Sequence, residues 1–457
     1  MSRVIELLRM AMPDLAASDD AETLTAYGRD WTHHWTPSPS LVVWPRNIAE
    51  VQGVVRFAGE HRLAVVPSGG RTGLSGGAVA KDGEIVLSLD KMNRILAFNE
   101  IDQTLSVEAG AVLQLVQEAA ASHGLQYPVD LGARGSCTIG GNIATNAGGI
   151  RVLKYGNTRE WIAGVTIVNA EGEVVELNRG LVKNSSGYDL RHLMIGSEGT
   201  LGIIVAAELK LTKPLPESTV MLLALPDFAS VVKAFTQLRA GLALQAFEFL
   251  TDVAIARVIT HGAANPFDAL YPYYVVAEFD ADEDAALQLF ETGLEQGWIV
   301  DGALSASNEH KQKFWHLREA ITESIAPFKP YKNDISIRIS QLDAFLVDAQ
   351  ALFARNYPDF EVIWFGHIGD GNLHISVIKP EAMAYEDFER HCATATSQLA
   401  EVIAKHGGSI SAEHGIGLLK RDYLRSTRSD TEIAMLKRVK KALDPHGILN
   451  PGKIFDV

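Results

Sequence analysis

At 457 residues the chain is too long for one hydrophobic core of ordinary size, so two domains are expected. Hydrophobic residues make up 47% and charged residues 21%, an ordinary globular balance, and 41 basic against 56 acidic side chains give a net charge of −15, which disfavours nucleic acid and anionic membrane as partners. The two cysteines, Cys137 and Cys392, build neither a disulfide framework nor a Cys-type zinc site, which points to a reducing, cytoplasmic setting.

The first twenty residues hold Arg3, Glu6 and Arg9 among apolar residues. This predicts a short helix with Val4, Leu7 and Leu8 on one side, not a signal peptide. No apolar run approaches the ~18 residues of a membrane helix. A helix is predicted over 48–61, with Asn47 as N-cap and Glu50 completing the capping pattern. A short apolar strand, Leu63-Ala64-Val65-Val66, then enters a glycine-rich loop, Pro67-Ser68-Gly69-Gly70-Arg71-Thr72-Gly73-Leu74-Ser75-Gly76-Gly77. Strands are predicted over 85–89 and 104–108. A second cluster spans Gly132 to Asn142 and runs on through Asn146-Ala147-Gly148-Gly149. Strands over 165–169 and 174–177 precede the third, Gly196-Ser197-Glu198-Gly199-Thr200-Leu201-Gly202. Glycine lets backbone N–H groups close on an anion and tolerates the φ > 0 conformations of anion-binding nests. One such loop is usually a plain turn. Three with interspersed Ser, Thr and Asn donors suggest a diphosphate-containing cofactor. The spacing fits neither a P-loop nor Gly-x-Gly-x-x-Gly entering a helix.

A strand over 203–212 ends at Lys213-Pro214-Leu215-Pro216, a domain boundary. Beyond it glycine thins and strands alternate with helices. Helices are predicted over 228–240, 283–296, 311–324, 341–355, 393–406 and 431–443. Strands over 219–225, 244–250, 273–279, 334–339, 361–368 and 372–378 form a largely antiparallel α+β sheet. The last two flank Asp370-Gly371, a strong turn pair. A two-residue loop there sets His367 opposite His374 on one face, with Cβ atoms roughly 4.5–5.5 Å apart. Two imidazoles so placed can chelate a metal, and Glu413 is a candidate third ligand. A His₂Glu set with open positions is of the catalytic kind. The competing reading is an ordinary hairpin that happens to hold two histidines.

The first loop, the run Gly140-Gly141-Asn142-Ile143-Ala144-Thr145-Asn146-Ala147-Gly148-Gly149 and the third loop together resemble the FAD-linked oxidases of the vanillyl-alcohol-oxidase type. The resemblance covers almost the whole chain. It implies a two-domain α+β architecture: an FAD-binding domain over 1–214, a substrate (cap) domain over 215–429 carrying the metal site, and a tail, 430–457, returning to the flavin domain. It implies FAD contacts from Pro67, Gly69, Gly70, Arg71, Thr72, Gly73, Ser136, Gly140, Gly141, Asn142, Thr145, Asn146, Gly148, Glu198, Gly199, Gly202 and Ile203. Asn372 and Asn450 are also expected near the flavin. Gly70-Arg71-Thr72-Gly73 holds no His or Cys, so the FAD is expected to be non-covalent. Within the family, Asp130 to Cys137, Asn184-Ser185-Ser186-Gly187-Tyr188-Asp189-Leu190, Gly366 to His374, Glu413-His414 and Asn450-Pro451-Gly452-Lys453 resemble the D-2-hydroxyacid dehydrogenases. That group uses a divalent metal, with zinc expected, held by two His and a Glu.

The implied chemistry is oxidation of a D-2-hydroxy acid to the 2-oxo acid, with FAD accepting the hydride. His414, beside a ligand, is the candidate base and a substrate contact. Arg318, Thr322 and Lys332 are expected to bind substrate carboxylate, Arg318 and Thr322 sharing a helix face at i, i+4. Their competing reading is a solvated helix face. Arg338 departs from the apolar residue or Pro expected in its strand. A dicarboxylate such as 2-hydroxyglutarate is the expected substrate. D-Lactate or glycolate is the alternative, and a non-catalytic flavin-carrying electron-transfer subunit is a third reading. The resemblance also implies an electron-transfer flavoprotein as acceptor, and such relatives are commonly homodimers.

Overall fold

Among the described residues, apolar strands and glycine-rich turns build three sheets, distributed over two units of the chain. The computed structural model describes residues 3–456. Met1, Ser2 and Val457, the outermost residues of the expected FAD-binding segment and tail, lie outside the described residues. One unit comprises Met1–Gly149, Tyr155–Pro214 and Glu413–Val457; the other comprises Ile150–Lys154 and Leu215–Ala412. The first unit thus resumes at Glu413, earlier than the expected 430. Among the described residues, no helix is long and apolar enough to cross a membrane.

The first unit holds two sheets. Strands β1 (Ala16–Ser18), β2 (Leu41–Trp44), β3 (Val65–Ser68) and β4 (Ile85–Ser88) form one, in the order β1-β2-β4-β3. Strands β2, β3 and β4 are parallel. Leu41, Val42, Val43, Ile85, Val86 and Leu87 are all fully buried, as parallel strands covered on both faces require. The helix Ile48–His61 starts where expected, with the Glu50 amide donating to Asn47 Oδ1 at 3.0 Å. The N-terminal helix Arg3–Ala11 buries Ile5 with Leu8, while Val4 and Leu7 are only partly covered. Strands β5 (Ile95–Asn99), β6 (Thr104–Glu108), β7 (Ile162–Val168), β8 (Val174–Leu177) and β9 (Ile203–Lys210) form an antiparallel sheet in the order β5-β6-β9-β7-β8.

The late residues are bound into this unit by a buried ion pair. Lys440, on the helix Asp430–Leu443, points its ammonium at Asp444 Oδ2 (2.5 Å) and at the carbonyls of Thr200 and Leu449 (both 2.7 Å). Asp444 in turn accepts the amides of Ile448 (3.1 Å) and Leu449 (2.8 Å). The turn so formed lays Leu449 parallel to Val65 of β3: the Val65 amide donates to Ile448 O (2.7 Å) and the Asn450 amide to Val65 O (2.8 Å).

The second unit is one seven-stranded sheet of β10 (Ser218–Leu225), β11 (Leu244–Thr251), β12 (Tyr273–Asp280), β13 (Asp301–Leu304), β14 (Tyr331–Ser336), β15 (Glu361–Gly366) and β16 (Asn372–Ile378). Its order is β13-β10-β12-β11-β15-β16-β14, antiparallel at every pairing. Val220, Leu222 and Ala224 pack into one apolar cluster with Ala254, Leu317 and Ile321 from the flanking helices. Met221, Leu223 and Leu225, on the opposite face, are buried too. Both faces of the central strands are therefore covered.

Four sequence expectations change here, the first being the helix expected over 393–406, which runs from Tyr385 to Lys405. The strand expected at 334–339 begins earlier, at Tyr331, and ends at Ser336. The helix expected over 311–324 is two helices, Asn308–Glu319 and Ile321–Ile325, separated at Ala320. The hairpin has a longer loop: β15 stops at Gly366, Ile368–Asp370 is a 3-10 turn, and His374 pairs with Phe365 rather than His367. A two-residue turn of the expected type needs φ > 0 at both central positions. Only Gly371 has it, at 84°. Gly371 is pressed so close to the residue after β14 that a Cβ there would lie 2.2 Å from Ile337 O.

Lys440→Met should lower the stability of the first unit by roughly 3–5 kcal/mol, because it strands a buried carboxylate and two carbonyls. Urea unfolding measures this; a midpoint within error of the parent would show that the ion pair does not hold the tail.

Candidate active site

The three glycine loops come together within the first unit. Pro67 and Ser68 end β3, and Gly69 and Gly70 follow at once. A Cβ on Gly70 would lie 2.0 Å from Ser136 O, and one on Gly69 would lie 2.3 Å from Thr138 Oγ1. The first and second loops are thus in backbone contact, and only glycine permits it. Gly140 has a similar but different reason: its missing side chain faces Ala109 Cβ at 2.8 Å, so it serves packing against the turn after β6. Gly199, at φ 72°, lies against Pro67, and Gly202 against Ile167 ahead of the buried Ile203. Gly141 is different. It is exposed, and the nearest atom to its missing Cβ is Thr138 Oγ1 at 3.6 Å.

Besides Gly199, four expected cofactor residues sit in the left-handed region: Arg71 (φ 57°), Asn146 (51°), Glu198 (52°) and Asn450 (41°). Non-glycine residues there cost backbone energy and cluster at ligand sites. Arg71 folds back, donating to Gly69 O at 2.8 Å and lying over the Tyr27 ring. Thr72 and Gly73 continue that loop. Asn146 caps the helix Ile139–Thr145 and accepts the Arg159 amide at 2.9 Å; Thr145 donates to Gly141 O at 3.1 Å. Gly148 is buried, and Ser136 is exposed with its hydroxyl on Ala133 O. Two buried polar atoms fit a ligand here. Among the described residues Asn450 Oδ1 has no hydrogen-bond partner, and Asn142 Nδ2 has at most the Cys137 thiol, a weak acceptor. A diphosphate cofactor with a polar ring system suits such a loop set.

Glu198 also ties two parts of the first unit together. Its carboxylate accepts the Ile416 amide on Oε1 and the Gly417 amide on Oε2, both at 2.8 Å. Burial raises its pKa, and those two amides oppose the rise. Asn450 Nδ2 binds Glu198 O (2.7 Å) and Gly77 O (2.9 Å). Ser75 Oγ donates to His414 O at 2.8 Å. The loop residues Ser75 and Glu198 thereby grip 414–417, the segment that follows Glu413. At the start of that segment, Glu413 Oε1 is 3.6 Å from His414 Nε2.

In the second unit, His367 and His374 come together although they are not paired in the sheet. Their ring centroids are 5.3 Å apart, with planes nearly perpendicular at 81°. Each ring has a carboxylate behind it. His367 Nδ1 is 2.9 Å from Glu248 Oε1, and His374 Nδ1 is 3.7 Å from Asp334 Oδ1. Asn372 Nδ2 donates to Asp334 Oδ1 (2.8 Å) and Ile335 O (2.9 Å). The Ala412 amide donates to Asp334 Oδ2 at 3.2 Å, and Glu413 is the next residue in the chain. Two imidazoles each backed by a carboxylate are the usual surroundings of a metal-binding histidine pair.

Arg318 is buried, and its Nε donates to Glu248 Oε2 at 2.9 Å. Thr322, beyond the break at Ala320, is exposed. Lys332 stands at an exposed position of β14, yet the surrounding protein desolvates its ammonium and lowers its pKa. Arg338 is exposed just beyond that strand. The motif Asn184 to Leu190 forms a loop of the first unit whose Tyr188 is 97% exposed.

Glu248 is the residue that sequence reasoning missed. Burial alone would raise its pKa, but His367 and Arg318 outweigh burial and hold it below the ordinary carboxylate value. Its signal was present in the sequence: an acid in the middle of the apolar strand Leu244-Gln245-Ala246-Phe247-Glu248-Phe249-Leu250. A charge at such a position has to be paired.

The FAD binding domain model matches residues 39–178, and the model for the C-terminal domain of FAD linked oxidases matches 215–454. The chain is 57% identical to a D-2-hydroxyglutarate dehydrogenase of Xanthomonas citri pv. viticola, covering 98% of this chain and 96% of that protein. It is 35% identical to the mitochondrial D-2-hydroxyglutarate dehydrogenase of Arabidopsis thaliana, covering 96% and 78%. Among solved structures, a 4-ethylphenol oxidase from Gulosibacter chungangensis shares the fold, with TM-score 0.75 at 18% identity over 99% of this chain and 97% of that one.

Gly141→Ala should leave the unfolding midpoint in place, since the site of its Cβ is open, while lowering the flavin content of the purified chain. Absorbance near 450 nm relative to 280 nm reads this out. Undiminished flavin would remove Gly141 from the phosphate-binding backbone.

Proposed function

This chain belongs to the FAD-linked oxidase family, and from that premise we propose that it is a FAD-dependent D-2-hydroxyglutarate dehydrogenase, converting the D-2-hydroxy acid to 2-oxoglutarate. The observation that carries this reading is the cluster in the seven-stranded sheet: two adjacent imidazoles and a buried arginine. The chemistry supplied by the bound groups is hydride acceptance, for FAD, and Lewis acidity, for a divalent metal.

The chain's own residues bind, orient and move the proton. The glycine loops of the first unit hold FAD without a covalent bond, the first loop offering no His or Cys at Gly70-Arg71-Thr72-Gly73. His367, His374 and Glu413 each offer one ligand atom to the metal, zinc in this proposal. Covalent continuity supports Glu413 as the third ligand, because Ala412 is tied to the same Asp334 that backs His374. His414 is the base that takes the hydroxyl proton. Its backbone is fixed by Ser75, and the amides just after it by Glu198. Arg318, Thr322 and Lys332 take the far carboxylate of the diacid. An electron-transfer flavoprotein is the acceptor in this proposal, and a reducing cytoplasm suits the two buried, unbridged cysteines.

Two experiments test the reading. A chelator should abolish dye-coupled turnover while leaving the flavin spectrum in place, and His374→Ala should do the same, since one of three protein ligands is lost. Full turnover by a metal-free preparation would remove the metal from the reaction. Lys332→Met should reduce kcat/KM for D-2-hydroxyglutarate by roughly tenfold to a hundredfold, the worth of a charge-assisted hydrogen bond, and leave D-lactate oxidation nearly unchanged. Equal losses on both substrates would place Lys332 at the α-carboxylate, and no loss on either would return it to the solvated surface.

A further inference from the structure

We propose that Glu248 is a positioning residue of this reaction, whose one carboxylate sets the ring of His367 for metal ligation and the fork of Arg318 for substrate carboxylate. The inference rests on the reading above and names the support that joins its two binding events.

Glu248 lies in the middle of β11 with a side chain only 1% exposed. Its neighbours on the same face of the strand, Ala246 and Leu250, are apolar and fully buried, so packing does not call for an acid here. The carboxylate is divided between two partners. Oε1 faces His367 Nδ1 and Oε2 accepts from Arg318 Nε, each at 2.9 Å. Arg318 arrives from the helix Asn308–Glu319, and its guanidinium also lies over the Phe365 ring, 4.9 Å from the centroid. The side chain is thus held at one edge and on one face.

Two consequences follow from the donor and acceptor chemistry. A carboxylate only accepts, so the proton of His367 stays on Nδ1 and the lone pair stays on Nε2, the nitrogen that then ligates a metal. Arg318, committed through Nε, presents its Nη groups in a fixed plane, the geometry for a bidentate carboxylate contact. One buried anion therefore orients a metal ligand and a substrate ligand together.

Glu248→Gln separates this role from mere packing, because the shape is kept. The guanidinium cannot accept a hydrogen bond, so the amide oxygen must face Arg318. The amide NH₂ then faces His367 Nδ1 and drives the imidazole proton to Nε2. The ligating nitrogen becomes a donor, and metal binding is weakened without loss of any heavy-atom position from the site. Glu248→Asp keeps the charge and serves as the second variant.

The measurements are Zn²⁺ affinity of the purified flavoprotein, by competition with a chromophoric chelator, and kcat and KM for D-2-hydroxyglutarate and D-lactate. Glu248→Gln should weaken Zn²⁺ binding by about tenfold to a hundredfold. It should also raise KM for the diacid, with flavin content unchanged, and Glu248→Asp should hold Zn²⁺ more tightly than Glu248→Gln. Parent-like Zn²⁺ affinity and KM in Glu248→Gln would overturn the inference. Loss of folded protein in both variants, with parent affinity in whatever remains folded, would overturn it equally. A parent chain that itself binds no Zn²⁺ would instead sink the metal reading. The Arg318 half of the inference would then stand or fall on the KM for the diacid.

Discussion

A carboxylate taken out of water is costly unless donors replace the water it has lost. Four buried carboxylates show how this chain meets that condition, three of them by binding segments distant in sequence and Asp444 by closing a local turn. Asp444 takes an ammonium and two amides, and so folds the turn that brings Leu449 to β3. Glu198 takes two amides just beyond His414. Asp334 backs His374 and takes Asn372 and the Ala412 amide. Glu248 takes His367 and Arg318. The apolar cores make the sheets, but these four acids decide which functional side chains they present and at what angle.

Glu198 had been read for another purpose, and the carboxylates of Asp334, Asp444 and Glu248 had been given no role. Glu198 lies in a glycine loop and was assigned to the cofactor. Its backbone does hold a left-handed turn within the loop set, yet its carboxylate serves the segment after His414. Asn450 shows the same division: its amide nitrogen ties Gly77 to Glu198, and its oxygen has no partner among the described residues. A motif residue can thus support a loop with one atom and address a ligand with another, and spacing alone does not separate the two.

Periodicity and turn chemistry carried most of the architecture. The strands of the cap sheet alternate or run fully apolar, the helix at Ile48 has a side-chain cap, and the two prolines near residue 214 mark the change of unit. What was not legible came from tertiary contact. The hairpin between β15 and β16 has a five-residue loop because Gly371 is pressed onto Ile337 O, which local sequence does not reveal. His367 and His374 still meet. The register moved by two residues, which keeps the side of the sheet, and Glu248 draws the His367 ring back toward the strands. The helix break at Ala320 is likewise silent in a helix-favouring residue.

The parallel bridge between Val65 and Leu449 has a consequence for how the chain is made. Every residue of the seven-stranded unit precedes residue 413, so that sheet can close while synthesis is still under way. The flavin-binding unit has no such freedom: β3 receives its outer neighbour only when residue 449 has left the ribosome. Its early strands must wait through more than half the length of the chain with one edge unpaired. In the order of synthesis, the unit encoded first is therefore the one completed last.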